Sequence, residues 1–82
     1  MENKKWKLSK SKMFREFNFP DFKTALEFVD KAGEISEKEN HHPEIFLSWG
    51  KVKIELFTHE RKKITEKDIN LSLKINKIYK EE

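Results

Sequence analysis

A chain of 82 residues, 40% charged and 35% hydrophobic, has room for one small core over residues 1–82 and no second domain. The absence of cysteine excludes disulfides, thiolate nucleophiles and zinc–thiolate sites, and no apolar run approaches the roughly 20 residues needed to span a bilayer. Net charge is +3, and 22 residues are Leu, Ile, Val or Phe, which with two Trp supports a folded domain rather than a disordered one. The basic start, Met1–Lys5, is followed by no apolar signal core, so the cytosol is the expected location. So small a core favours oligomerisation, and a homodimer or homotetramer is expected.

Trp6–Leu8 and Met13–Phe19 read as two strands joined by a turn over Ser9–Lys12, with Phe17 and Phe19 on one face. Lys4, Lys5, Lys7, Lys10 and Lys12 surround Trp6. A basic arm beside an aromatic ring suits nucleic acid. Lysines also guard strand edges against aggregation, and that reading is preferred, so nucleic acid is not an expected partner. Pro20 and Asp21 mark a helix start, with Asp21 as N-cap. Phe22, Ala25, Leu26, Val29 and Ala32 then recur at helical spacing and predict the face that covers a sheet. Phe28 and Ile35 fall on another side, predicted to meet a second subunit, and the helix ends near Lys38 to Asn40.

Pro43 opens a hairpin. Ile45, Leu47 and Trp49 alternate, Gly50 gives the turn, and Val52, Ile54 and Leu56 alternate again. His59 shares the opposite face of its strand with Lys53, Glu55 and Phe57. In the last segment Ile69, Leu71, Leu73 and Ile75 alternate as a strand would. Against this, Thr65 and Asp68 have the spacing of a capping box, and Ile64 and Ile69 that of a hydrophobic staple. Leu71, Ile75, Ile78 and Tyr79 also form a helical stripe, so a helix is predicted from Glu66 to Lys80. Leu71 and Ile75 are a second candidate surface for subunit contact. The order is β-β-α-β-β-α, an α+β fold with a four-stranded antiparallel sheet and two long helices packed on one face.

The three histidines, His41, His42 and His59, are the residues best suited to proton chemistry, since an unperturbed imidazole titrates near 6.5. Pro43 stiffens the chain directly after two of them. Glu37 and His41 are four apart at a helix end, and with His42 or His59 they make a conceivable metal site. Adjacent histidines in an extended segment point in opposite directions, however, and no strong metal motif is present. No Gly-Xaa-Ser-Xaa-Gly element or glycine-rich phosphate loop exists.

Glu37-Lys38-Glu39-Asn40-His41-His42-Pro43, then Thr58-His59, then Ile64-Thr65-Glu66-Lys67-Asp68-Ile69-Asn70-Leu71 together resemble the signature of the pterin-4a-carbinolamine dehydratases. Phe17-Asn18-Phe19-Pro20-Asp21-Phe22 fits the same family upstream, and the likeness runs from about Trp6 to Ile78. The resemblance implies that His41, His42 and His59 are the catalytic histidines. It places Glu37, Pro43 and Asp68 around them, in substrate-binding or supporting roles. Read without it, Glu37 is a solvated helix residue and Asp68 a helix cap. The family carries a further N-terminal helical segment that these 82 residues do not include. It often has glycine where Lys63 stands, and an aromatic residue where Ile45 stands.

The activity implied is loss of water from 4a-hydroxytetrahydropterin, with a small-molecule pterin as partner and neither cofactor nor metal. His41 and His59 are expected to form the acid/base pair and His42 to orient the ring. The alternative is a non-catalytic pterin- or protein-binding and dimerisation module, since animal relatives also serve as dimerisation cofactors of a transcription factor.

Overall fold

The computed structural model describes residues 5–79, so Lys4 of the basic arm and the expected helix end at Lys80 lie outside the described residues. Its elements are β1 (Lys7–Ser9), β2 (Lys12–Asn18), α1 (Phe22–Glu39), β3 (Glu44–Ser48), β4 (Lys51–Leu56) and α2 (Glu66–Ile78). The strands form one antiparallel sheet in the order β1-β2-β4-β3. The fold class is as predicted, and Leu71 to Ile75 are helical despite their alternation. No helix among the described residues is long and apolar enough to cross a membrane.

Period-two alternation decides the faces of the sheet. Met13, Arg15 and Phe17 on β2 pair with Leu56, Ile54 and Val52 on β4, and Ile45 and Leu47 on β3 join them. This inner face packs against the helices, with Phe17, Val52, Ile54, Leu56, Leu71 and Ile75 fully buried. The outer face carries Phe14, Phe46, Lys53 and Glu55, and no helix among the described residues covers it. Lys12 and Lys53 both pair with Glu55 there, and Lys53 also sits 5.0 Å from the Phe14 ring centre.

Several local expectations need correction. Trp6 precedes β1 instead of opening it, and is buried, its indole donating to Asn76 Oδ1 at 2.8 Å. Arg15 Nη1 donates to the same oxygen at 2.7 Å, so the first turns of the chain are tied to the end of α2. The helix face is also rotated. α1 buries Ala25, Phe28, Ala32 and Ser36, while Phe22 and Leu26 stay exposed. The reason is shape: Phe28 fills the space over Phe17, Phe19 and Tyr79, at ring separations of 4.8, 5.1 and 5.8 Å. Ala25 and Ala32 let the helix approach the sheet closely. Phe28, Leu71 and Ile75 therefore lie in the core of one chain, which removes them as surfaces for a second subunit, while Ile35 packs against that core and stays partly exposed. Trp49 lies beyond β3 in the turn and is 69% exposed.

Two turns rest on special backbone. Lys10 and Ser11 both have positive φ, which matches the twist of a two-residue hairpin loop. At Gly50 the constraint is space: an added Cβ would lie 2.9 Å from the Phe19 carbonyl oxygen. The carbonyl of Gly50 in turn accepts the Phe19 amide at 2.8 Å.

Asp21 caps α1 as predicted, accepting the Thr24 amide at 2.8 Å. That bond, joined by the Thr24 hydroxyl and the nearby Lys23 charge, holds the carboxyl below its ordinary pKa. A depressed pKa stabilises the fold above the ordinary value of about 3.9, and the gain is lost as pH falls through the lowered value. Asp21→Ala is therefore expected to lower the melting temperature near pH 7. The gap from wild type should close on acidification, which thermal unfolding followed by circular dichroism at several pH values will read.

Candidate active site

The two adjacent histidines leave the end of α1 in opposite directions. Asn40 ends the helix in the left-handed conformation, φ 53°, which breaks the regular spacing after Glu39. Glu37 consequently meets His42 and not His41: His42 Nε2 lies 2.5 Å from Glu37 Oε2, at an exposed position. The conceivable metal set built on Glu37 and His41 is not assembled. Among the described residues no three His, Asp or Glu side chains are grouped to hold a metal.

His41 turns inward. Its Nε2 lies 2.5 Å from Oδ1 of Asp68, a carboxyl with no exposed surface. Its backbone amide donates to the Ser36 carbonyl at 3.1 Å. The other Asp68 oxygen, Oδ2, accepts the Thr58 hydroxyl at 2.7 Å and the Thr65 amide at 2.9 Å. Asp68 therefore serves both as the predicted capping-box residue of α2 and as the partner of His41. Pro43 follows as the last residue before β3.

His59 stands at the start of a tight loop closed by a Thr58–Lys63 bridge. Lys62, φ 55°, takes the left-handed position in that loop, so Lys63 itself needs no glycine-like conformation. The His59 ring meets the Phe57 ring edge-on, with centres 5.0 Å apart at 89°. His42, His59, Phe57, Glu44, Glu55 and Lys12 line one shallow cleft at the end of the outer sheet face. The cleft holds about 10 Å³, the space of one water. A wider hollow of about 490 Å³ opens beside Thr58, Arg61, Lys63 and the first turn of α2. Ile45, where the family often has an aromatic residue, faces the core, while its neighbour Phe46 faces outward and is 53% exposed.

Of the residues picked out in the sequence, His42 and His59 thus share a cleft, and His41 and Asp68 share a partly buried bond. Thr58 and Thr65, which complete the Asp68 cage, escaped notice as site residues; the signal was the short spacing from Thr58 to Asp68 across a loop. The Trp6 indole is buried and engaged, so it offers no face for stacking nucleic-acid bases.

The arrangement is that of a small α+β sandwich with imidazoles gathered at one end of its sheet. The chain belongs to the pterin 4 alpha carbinolamine dehydratase family, whose model matches residues 1–78. A protein of Alkaliphilus metalliredigens, provisionally named pterin-4-alpha-carbinolamine dehydratase, is 43% identical over 76 residues, covering 92% of this chain and 68% of that one. The crystal structure of a transcriptional coactivator/pterin dehydratase from Brucella melitensis superposes with a TM-score of 0.89 at 35% identity, over 94% of this chain and 84% of the other. A pterin dehydratase-like protein described as a RuBisCO assembly factor in the alpha-carboxysome shares the fold, with a TM-score of 0.76 at 20% identity over 94% and 92% of the two chains. Against several other curated relatives the chain spans 57–60% of their length.

Proposed function

We propose that this chain removes water from a 4a-hydroxytetrahydropterin to give a quinonoid dihydropterin, with His41 and His59 as the acid/base pair and His42 steadying the ring. What supports this reading in a member of this family is the placing of two histidines in one cleft and of the third one residue-link away from it. His42 and His59 line one cleft, and His41 reaches Thr58, the neighbour of His59, through Asp68.

The chemistry needs two proton movements. The C4a hydroxyl gains a proton and leaves as water, while N5 gives one up and its lone pair forms the C4a=N5 double bond. Charge developing in between is spread over the nitrogen-rich ring, so two oriented imidazoles are sufficient. Glu37 keeps His42 in place, and Pro43 fixes the direction in which the chain leaves the pair.

The decisive experiment supplies a synthetic 4a-hydroxytetrahydropterin and follows its dehydration with wild type and with His59→Ala. Acceleration by wild type and its loss in the variant are expected. No acceleration by wild type over buffer would refute the reading. The same assay should be indifferent to EDTA; activity lost on chelation and restored by zinc would replace the acid/base mechanism with a metal-assisted one.

A protein-binding role is the second reading, and exposed apolar residues favour it: Trp49 and Phe46 on and beside edge strand β3, Phe22 and Leu26 on α1. Contact between copies through such residues would make a dimer or tetramer. Light scattering at micromolar concentration is expected to give a multiple of 9.9 kDa, not that mass itself.

A further inference from the structure

We propose that Thr58 and Thr65 are positioning residues that orient the Asp68 carboxyl, so that neutral His41 carries its proton on Nε2 and exchanges protons through Nδ1. The last step rests on the dehydratase reading; the tautomer does not.

The argument is a count of protons. As a carboxylate, Asp68 only accepts hydrogen bonds. Thr58 has one hydroxyl proton, and its Oγ1 is 2.7 Å from Asp68 Oδ2, so that proton points to Asp68. Thr58 Oγ1 is also 2.7 Å from Thr65 Oγ1, and this second bond must use the Thr65 proton. Thr65 Oγ1 in turn accepts the Lys67 amide at 3.3 Å. The chain therefore runs in one direction, from Thr65 to Thr58 to Asp68. With Oδ2 held by Thr58 and by the Thr65 amide, Oδ1 faces His41 Nε2 at 2.5 Å. Nε2 must be the donor. Neutral imidazole has one N–H, so Nδ1 keeps its lone pair.

The centre of this network is shielded from water, while Thr65 and His41 at its two ends are partly buried. Asp68 is fully buried and Thr58 is 4% exposed. The His41 side chain keeps 11% exposure, an opening through which a proton can pass. A carboxylate that fixes a histidine tautomer from behind is the arrangement used by the Ser-His-Asp triad, where it orients the base without itself changing protonation.

The geometry also dictates what Asp68→Asn must do. Two donors, the Thr58 hydroxyl and the Thr65 amide, meet at the Oδ2 position. The amide oxygen has to occupy that place, which turns the NH2 group toward His41. His41 Nε2 must then accept, and its proton moves to Nδ1.

Nitrogen-15 NMR of histidine-labelled protein, on the high-pH plateau of the His41 titration, reads the tautomer directly. Nε2–H is expected for wild type and Nδ1–H for Asp68→Asn, with kcat lowered about 10²–10⁴-fold in the variant. Thr58→Val keeps the shape but removes the hydroxyl. It should speed solvent exchange of the His41 Nε2 proton and lower kcat by up to about 10²-fold with KM little changed, as for a misplaced base. Thr58→Ser should restore both. Wild-type His41 protonated on Nδ1 would overturn the proposal. So would Thr58→Val leaving both the His41 spectrum and kcat at wild-type values. A wild type with the Nε2–H tautomer but no dehydratase activity would support the tautomer assignment and refute the function instead.

Discussion

His41→Ala and His59→Ala are each expected to lower kcat for pterin dehydration by about 10²–10⁴-fold, the usual contribution of a general acid or base. His41 is a partly buried, oriented imidazole behind which Asp68 sits, and His59 is braced by Phe57 at the cleft. The two occupy different environments, which suits one to accept a proton while the other supplies one. If each can partly stand in for the other, the double variant should lose more than either single one. His42 is exposed and held by Glu37, so His42→Ala should act mainly through KM, because uniform binding leaves kcat unchanged. Steady-state kinetics on the three single variants and the double variant would settle the division of labour. Near-wild-type kcat in both His41→Ala and His59→Ala would sink the acid/base assignment and leave a binding role.

Phe17→Ala is expected to cost about 3–5 kcal/mol of folding stability, the range for deleting a buried Phe ring. Phe17 has no exposed surface. Its ring contacts those of Trp6, Phe28 and Tyr79 at 6.1, 4.8 and 4.9 Å, and the Arg15 guanidinium lies 4.6 Å from its centre. Removing it opens a cavity where the N-terminal segment, the sheet and both helices meet. It also strips Arg15 of an aromatic neighbour. Against a typical total of about 5–15 kcal/mol the loss is large. At about 4–8 °C per kcal/mol it should lower the melting temperature by roughly 12 °C or more. Leu8→Ala, at a site 74% exposed, should change stability by less than about 0.5 kcal/mol. Urea titration of the two variants makes the comparison. A Phe17→Ala cost below about 1 kcal/mol would mean that the aromatic cluster is not the centre of the core.

Local patterns in the sequence determined the element order, because each is decided within a few residues. Asp21 caps a helix by reaching its own Thr24 amide, and Thr65 with Asp68 closes a capping box against the strand-like alternation that follows. Val52, Ile54 and Leu56 alternate into the core because successive side chains on a strand face opposite ways. His41, His42, His59 and Asp68 were singled out in the sequence through the family resemblance, whose motifs are residue types at fixed spacings. What the sequence could not decide was how the layers seat on each other. The face of α1 turned toward Phe28 and away from Leu26 because the ring cluster of Phe17, Phe19 and Tyr79 needed filling from above. Trp6 left the strand edge for the interior because Asn76, 70 residues away, offers its indole an acceptor. The partners of the two adjacent histidines were decided in the same way. Glu37 took His42 once Asn40 broke the helix, and Asp68 took His41 once α2 docked beside α1. Hydrogen bonds and packing between segments distant in sequence depend on where both segments come to lie, and only the folded chain brings them together.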